Sequence, residues 1–239
     1  MKVVRSRLEK GMSEIALKLT SSLHHDHFIF HYDILVDAAH VLNLFKNGHI
    51  SREDAAKILS ALLEIRDTGY NALSREYEDV HEAIEAKVIE MAGEAGRKMH
   101  TGRSRNDEVA TCLRLFARDR LLSTAQAVLR LREVLLERAE KDDSVMPGFT
   151  HLQYAQPTRL SHHLLAYHDM LERDYQRIID AFKRVNLSPL GSAAFASTGF
   201  MLDRAYTAKL LGFKDIVENS MDAVATRDFA IESIFVSCS

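Results

Sequence analysis

Tryptophan is absent from this 239-residue chain, proline occurs 3 times, cysteine 2 times and glycine 10 times. So few breakers, beside plentiful Ala, Leu, Glu and Arg, favour helix over sheet. The two cysteines, Cys112 and Cys238, lie far apart inside helical patterns. They read as reduced, buried thiols of a cytosolic protein rather than a disulfide framework. No stretch approaches the ~18 consecutive apolar residues that a bilayer-spanning helix needs, so no membrane partner is expected. Met1 to Lys10 is basic but leads into no apolar core of a signal peptide. A net charge of −3 gives no reason to expect nucleic acid or an anionic membrane. What remains is a soluble, intracellular, helical protein, long enough for one large domain or two smaller ones.

The apolar spacing predicts the following order. Residues 1–21 form a charged arm with a short helix, and a helix then runs from Asp26 to about Asn47, stopped by Asn47-Gly48. Ser51-Arg52-Glu53-Asp54 opens the next in the manner of a capping box, burying Ala55, Ile58, Leu62 and Ile65 until Thr68-Gly69. A shorter helix covers 79–92. From about Asp107 to Lys141 there is no Gly or Pro, and Leu113, Phe116, Leu121, Val128, Leu131 and Leu135 recur at near-helical spacing. A helix of that length, about 50 Å, exceeds what one small core needs and points to a bundle or an oligomer. Another long helix spans about 161–184. Residues 186–201, rich in Ser, Ala and Gly, read as a loop that lets backbone approach something closely. Helices over 203–211 and from about 222 onward complete the chain, and alternating strand patterns are lacking.

Four stretches carry chemistry. Residues 100–110 alternate Arg103 and Arg105 with small residues, and Asn106-Asp107 are good N-cap residues for the long helix. Guanidinium forks beside a helix N-terminus suit carboxylates or phosphates, although a cap with solvated arginines is the plainer reading. Glu78-Asp79-Val80-His81-Glu82 clusters carboxylates around a histidine, which is equally an acidic helix start. Gly148 to Pro157 sets Thr150, His151, Gln153 and Gln156 ahead of a long helix, with His151 a natural proton shuttle or a structural hydrogen-bonder. His24, His25, His27 and His31 invite a metal reading, but the Cys or spaced carboxylate ligands of a firm site are not evident. The 186–201 loop has no phosphate-cradling lysine, so nucleotide hydrolysis is not supported.

Taken together, Thr101-Gly-Arg-Ser-Arg-Asn-Asp107, Gly148-Phe-Thr-His-Leu-Gln-Tyr-Ala-Gln-Pro157, Asn219-Ser-Met-Asp222 and Arg227-Asp-Phe229 resemble the argininosuccinate lyase family. That family lies within the larger fumarase/aspartase group. The Arg-Ser-Arg-Asn form of the first motif points to argininosuccinate rather than to fumarases or adenylosuccinate lyases. The resemblance implies an all-α fold, with an N-terminal helical domain over 1–97 and part of a long-helix bundle over 98–239. It implies a cytoplasmic homotetramer whose active sites are shared between subunits, with no cofactor and no metal. By the same match, Ser22, Arg105, Asn106 and Thr150 contact substrate, with Arg103, Ser104, His81 and Gln153 beside them. His151 is the histidine assigned to proton transfer.

The implied reaction is β-elimination of argininosuccinate to arginine and fumarate, as in arginine synthesis. Its chemistry suits those residue types. A proton leaves a carbon beside a carboxylate, the resulting charge spreads onto that carboxylate, and the leaving guanidino nitrogen needs an acid. Departures from the family pattern matter as well. The arm with Arg5-Ser6-Arg7-Leu8 and Gly11-Met12 diverges, and the Gly-Ser-Ser loop that carries the family's serine base is absent. The expectation is therefore an N-terminal fragment, a truncated form or a divergent short form that does not turn over alone. The rivals are a non-catalytic structural or assembly protein on the lyase scaffold, an adenylosuccinate lyase, or a metal-binding helical protein centred on His24–His31.

Overall fold

A computed structural model describes residues 13–239; the divergent arm at Arg5–Gly11 and Met12 lies outside them. The protein is all-α. Its helices are α1 (Glu14–Thr20), α2 (Phe30–Lys46), α3 (Arg52–Thr68), α4 (Val80–Ala92), α5 (Arg105–Lys141), α6 (Leu160–Val185), α7 (Arg204–Leu210), α8 (Ser220–Ala225) and α9 (Asp228–Cys238). Among the described residues six two-residue strands accompany them, which no alternating pattern foreshadowed because two residues make no period. They are β1 (Val145–Met146), β2 (Phe149–Thr150), β3 (Gln153–Tyr154), β4 (Thr158–Arg159), β5 (Leu187–Ser188) and β6 (Asp215–Ile216). β1 pairs with β4 and β2 with β3 antiparallel, while β5 and β6 pair in parallel. Among the described residues, no helix is long and apolar enough to cross a membrane.

The chain divides into two compact units, one made of residues up to Phe116 with Asn186–Thr226, the other of Ala117–Val185 with Arg227–Ser239. This differs from the consecutive stretches expected, 1–97 and 98–239. The reason is a return of the chain: Leu190, Ala208, Leu211 and Phe213 bury against Tyr32, Val36 and Ala39 of α2 and Cys112 and Leu115 of α5. Periodicity reports that a face is apolar, not which distant face it meets.

The first unit's main core is built by α2, α3 and α4. Ser51 accepts from Asp54 N at 3.0 Å, and the Asp54 carboxylate returns to Ser51 N, so the expected capping box forms. From that start α3 buries Ala55, Ile58, Leu62 and Ile65, as its spacing predicts. Gly96 follows α4 with so close a return that an added Cβ would lie 2.7 Å from the Val88 carbonyl. The expected helix from Asp26 begins with a 3-10 turn, Asp26–Phe28, before α2 proper. The final helical pattern is likewise two helices, because Thr226 takes an extended conformation (ψ 153°) between α8 and α9.

In the second unit, α6 packs on α9, and Arg184 grips Glu232 through Nε (2.9 Å) and Nη2 (2.5 Å). Leu121, Ala125, Ala139, Ile178, Ala181, Val185, Phe229 and Val236 are its buried apolar residues. Both cysteines are free. Cys112 is buried as expected, but Cys238 is exposed, so the reading of two buried thiols holds only for the first.

Candidate active site

The start of α5 is where charge concentrates. The helix begins at Arg105, one residue before the cap expected at Asn106-Asp107. Ser104 takes that role: its Oγ accepts from Asn106 N at 3.3 Å, and its own N–H donates to Asp107 Oδ1 at 3.0 Å. The Asn106 side chain is thereby released for another partner, while Asp107 gives one carboxylate oxygen to the cap and keeps Oδ2 for other donors. From here the helical period sends Asp107 and Glu108 inward and leaves Asn106 at the surface.

Beneath this turn lies a set of buried ions. Arg103, with no exposed side-chain surface, meets Asp37 at 2.5 Å through Nη1 and Glu108 at 3.1 Å through Nη2. Glu108 divides its carboxylate, because Oε2 also receives Arg105 Nη1 at 3.1 Å. The His81 side chain, 2% exposed, places Nδ1 2.7 Å from Asp33 and 3.7 Å from Glu108. Burial opposes charge on this imidazole, yet Asp33 and Glu108 outweigh it and lift the pKa to about 9. Burial also works against the Asp33 carboxylate, but His81, Arg103 and Arg105 together hold it below the usual range. His81 is therefore an imidazolium at neutral pH, and three cations face Asp33, Asp37 and Glu108. His40, fully buried, touches the Thr101 carbonyl through Nε2 at 2.9 Å. Burial and the nearby Arg103 hold its pKa well below 6.5, so it is a neutral ring that donates there.

The sequence-predicted residues of the first unit converge on the N-terminus of α4. Ser22 Oγ donates to Asp26 Oδ2 at 2.8 Å, and that same oxygen accepts Val80 N at 2.9 Å. Asp79, the N-cap of α4, accepts Glu82 N at 2.7 Å and faces Arg105 Nε at 3.3 Å. Ser22, His81, Arg103, Ser104, Arg105 and Asn106 thus belong to one connected region. They are not equivalent, however. Arg103 and His81 have essentially no exposed side-chain surface and are engaged in ion pairs with Asp33, Asp37 and Glu108. Sequence reasoning passed over Asp37, Glu108 and His40, and read Asp107 only as a helix cap. The available signal was polarity at core-facing positions: Asp33, Asp37 and His40 are spaced i, i+4, i+7 within an otherwise apolar helix.

Thr150, His151 and Gln153 lie in the second unit, on one short hairpin. β2 and β3 pair Phe149 with Tyr154 and Thr150 with Gln153, and His151-Leu152 forms the two-residue turn between them. Both turn residues are left-handed, His151 at φ 53° and Leu152 at φ 61°. Such turns ordinarily take Asn or Gly, and a left-handed conformation costs an ordinary L-residue about 1–2 kcal/mol. The hairpin is held at its base by Gly148, whose N–H donates to the Gln156 carbonyl at 3.1 Å; an added Cβ would lie 2.3 Å from that oxygen. The His151 imidazole is thereby carried at an exposed, strained tip.

Among the described residues, two buried groups bring potential metal-ligand atoms within 4.8 Å of one another: Asp33, His81 and Cys112, and Asp33, Asp37 and Glu108. In each, His81 or Arg103 already neutralises the acids, so a metal would have to displace an internal cation. What the first unit gathers at the starts of α4 and α5 is the Arg105 guanidinium, the Asn106 amide and the Ser104 hydroxyl, and the second unit carries a strained turn with an imidazole.

A helical chain that gathers ionisable side chains at the starts of α4 and α5 has its class fixed by comparison with known proteins. A family model described as "Lyase" matches residues 7–238, and the chain belongs to that family. It is 65% identical to a protein named argininosuccinate lyase from Archaeoglobus fulgidus, over 97% of this chain and 48% of that one. A protein of the same name from Methanosarcina mazei is 54% identical over 95% of this chain and 47% of its own length. The chain spans about half the length of these curated relatives. Among solved structures, an EDDS lyase in complex with formate superposes with a TM-score of 0.81 at 33% identity, covering 95% of this chain and 46% of that one.

Proposed function

We propose that this chain supplies the first two substrate-binding regions of an argininosuccinate lyase, which eliminates fumarate from argininosuccinate and leaves arginine. One observation carries the reading: Ser22, Arg105 and Asn106 cluster at two helix N-termini in a chain 65% identical to a protein of that name. Arg105 is held from behind by Asp79 and Glu108, so its fork is oriented before any substrate arrives. In this reading Arg105, Asn106 and Ser22 receive succinyl carboxylates, and Thr150 and Gln153 flank His151, which moves a proton. Arg103, Ser104 and His81 act as positioning residues. The active enzyme is a cytoplasmic homotetramer in which different subunits contribute the hairpin and the α4/α5 region. Supporting features are the free thiols and the apolar exposure of Leu131 and Val134 on α5 and Ile231, Ile234 and Phe235 on α9.

The test is fumarate release, followed by ultraviolet absorbance, from this chain supplied with the C-terminal half of the Archaeoglobus relative. Argininosuccinate is the expected substrate and adenylosuccinate is not. In the active complex, His151→Ala lowers kcat by about 10²–10⁴, the usual contribution of acid–base help. A folded, assembled complex without turnover would instead support a structural protein on the same scaffold, and undiminished turnover in the variant would remove His151 from the chemistry.

A further inference from the structure

Asp107 has a second task besides the helix cap. Its Oδ2 accepts two backbone N–H groups from a stretch 84 and 86 residues away, Gly191 N and Ala193 N, each at 2.9 Å. Gly191 (φ 89°) and Ala193 (φ 52°) are both left-handed, and backbone of this kind turns neighbouring N–H groups inward to form an anion-binding nest. Here the anion is the protein's own carboxylate, 0% exposed. The opposite side of the same turn is gripped by a cation. Arg204 donates through Nε to the Leu190 carbonyl at 3.2 Å, and through Nη2 to Ser192 Oγ at 3.1 Å and the Val217 carbonyl at 2.7 Å. Its stem fills the space where a Gly191 Cβ would sit, only 2.7 Å from Arg204 Cγ.

The next residue of this clamped turn, Ala194, accepts from Asn106 Nδ2 at 2.8 Å. An asparagine amide has two N–H groups and a carbonyl oxygen, so this bond fixes the amide plane while leaving its other polar atoms for a ligand. We infer that Asp107 is a positioning residue: by clamping the 191–193 turn it sets the Ala194 carbonyl, which aims the neighbouring Asn106 amide at the substrate carboxylate. The catalytic half of this statement rests on the proposed role of Asn106; the mechanical half does not.

The two halves are tested separately. In the 15N-labelled 239-residue chain, the Asn106 side-chain amide signal is identified by its loss in Asn106→Asp. Asp107→Asn should shift that signal and accelerate its hydrogen exchange by about tenfold, the scale of one lost hydrogen bond. An unmoved, equally protected signal overturns the inference. If Asp107→Asn does not fold, Arg204→Lys releases the turn from its other face, and an unchanged Asn106 signal there overturns it as well. In the complex completed with the relative's C-terminal half, Asp107→Asn should raise KM for argininosuccinate about tenfold and change kcat far less. A loss confined to kcat would contradict positioning for binding. Unaltered kinetics in Asn106→Ala would instead remove Asn106 from the proposed site, leaving the clamp measured by exchange to stand or fall by itself.

Discussion

Raising the pH from about 7.5 to about 9.5 should unload one buried cation, His81, and the stability it brings. Its folded pKa of about 9 stands above the ordinary 6.5 because Asp33 and Glu108 face Nδ1 at 2.7 and 3.7 Å. At about 1.36 kcal/mol per pKa unit, that gap corresponds to about 3 kcal/mol. Because the folded pKa is raised, the contribution is fully present below about pH 6.5 and is lost as the pH climbs through about 9. Between about pH 7.5 and 9.5 the loss is about 2 kcal/mol. The other groups around the ring are Arg103 and Arg105, which keep their charge throughout, Asp33, held low, and Glu108, raised by burial. Burial pushes the Cys112 thiol well above its usual value, so it does not titrate in this window. Urea unfolding followed by circular dichroism, at several pH values in the wild-type chain and in His81→Asn, isolates the effect. The stability difference between the two proteins should shrink by about 2 kcal/mol across the window. Parallel curves would refute the charged state of His81 and the charge balance built on it.

Three further outcomes follow from the same geometry. Arg105→Lys keeps the charge but loses the fork that meets Asp79 through Nε and Glu108 through Nη1. In the completed enzyme it should raise KM for argininosuccinate at least about tenfold, and a normal KM would end the receptor role. Ser51→Ala removes the capping box of α3 and should cost about 1 kcal/mol in a denaturant melt, with no effect on KM. Gly96→Ala drives a methyl group against the Val88 carbonyl and Ile89 backbone, neither of which can rotate away, so a loss of about 1–3 kcal/mol is expected. Unchanged stability would show that the 3-10 turn at Gly96–Lys98 relaxes freely.

Much of this was written in local pattern. The uninterrupted run that became α5, the box at Ser51 and the charged start at 78–82 all express short-range chemistry, and each sits within a residue or two of its expected place. The inward carboxylates were harder to see. Asp33 and Asp37 look like ordinary polar residues until their shared face proves to be the buried one, and burial is decided by α4 and α5 arriving from elsewhere. The return of 186–226 onto α2 left no trace because its apolar residues match any apolar face. The His151-Leu152 turn was hidden for a different reason. Hairpin turns announce themselves through Asn or Gly, and this one carries neither, holding its left-handed pair by ladder pairing and the Gly148–Gln156 contact.

The two arginines that first drew notice divide the work in a way that alternation alone does not reveal. Arg103 precedes the helix and points into the core, while Arg105 lies on the first turn and stays partly open; Glu108 joins them with one oxygen for each. Burying ions this deeply is a poor route to stability, since apolar residues of equal volume pack as well without the desolvation cost. What the ions provide is direction. An apolar replacement at Glu108 could fill the same volume but could not hold a guanidinium at 3.1 Å in one orientation. Removing Arg103 alone would strand Asp37 and half of Glu108, and would free Glu108 to follow Arg105 wherever it moved. The position of Arg105 is therefore set by the pairing beneath it, and in the proposed reading Arg103 and His81 act through that pairing alone.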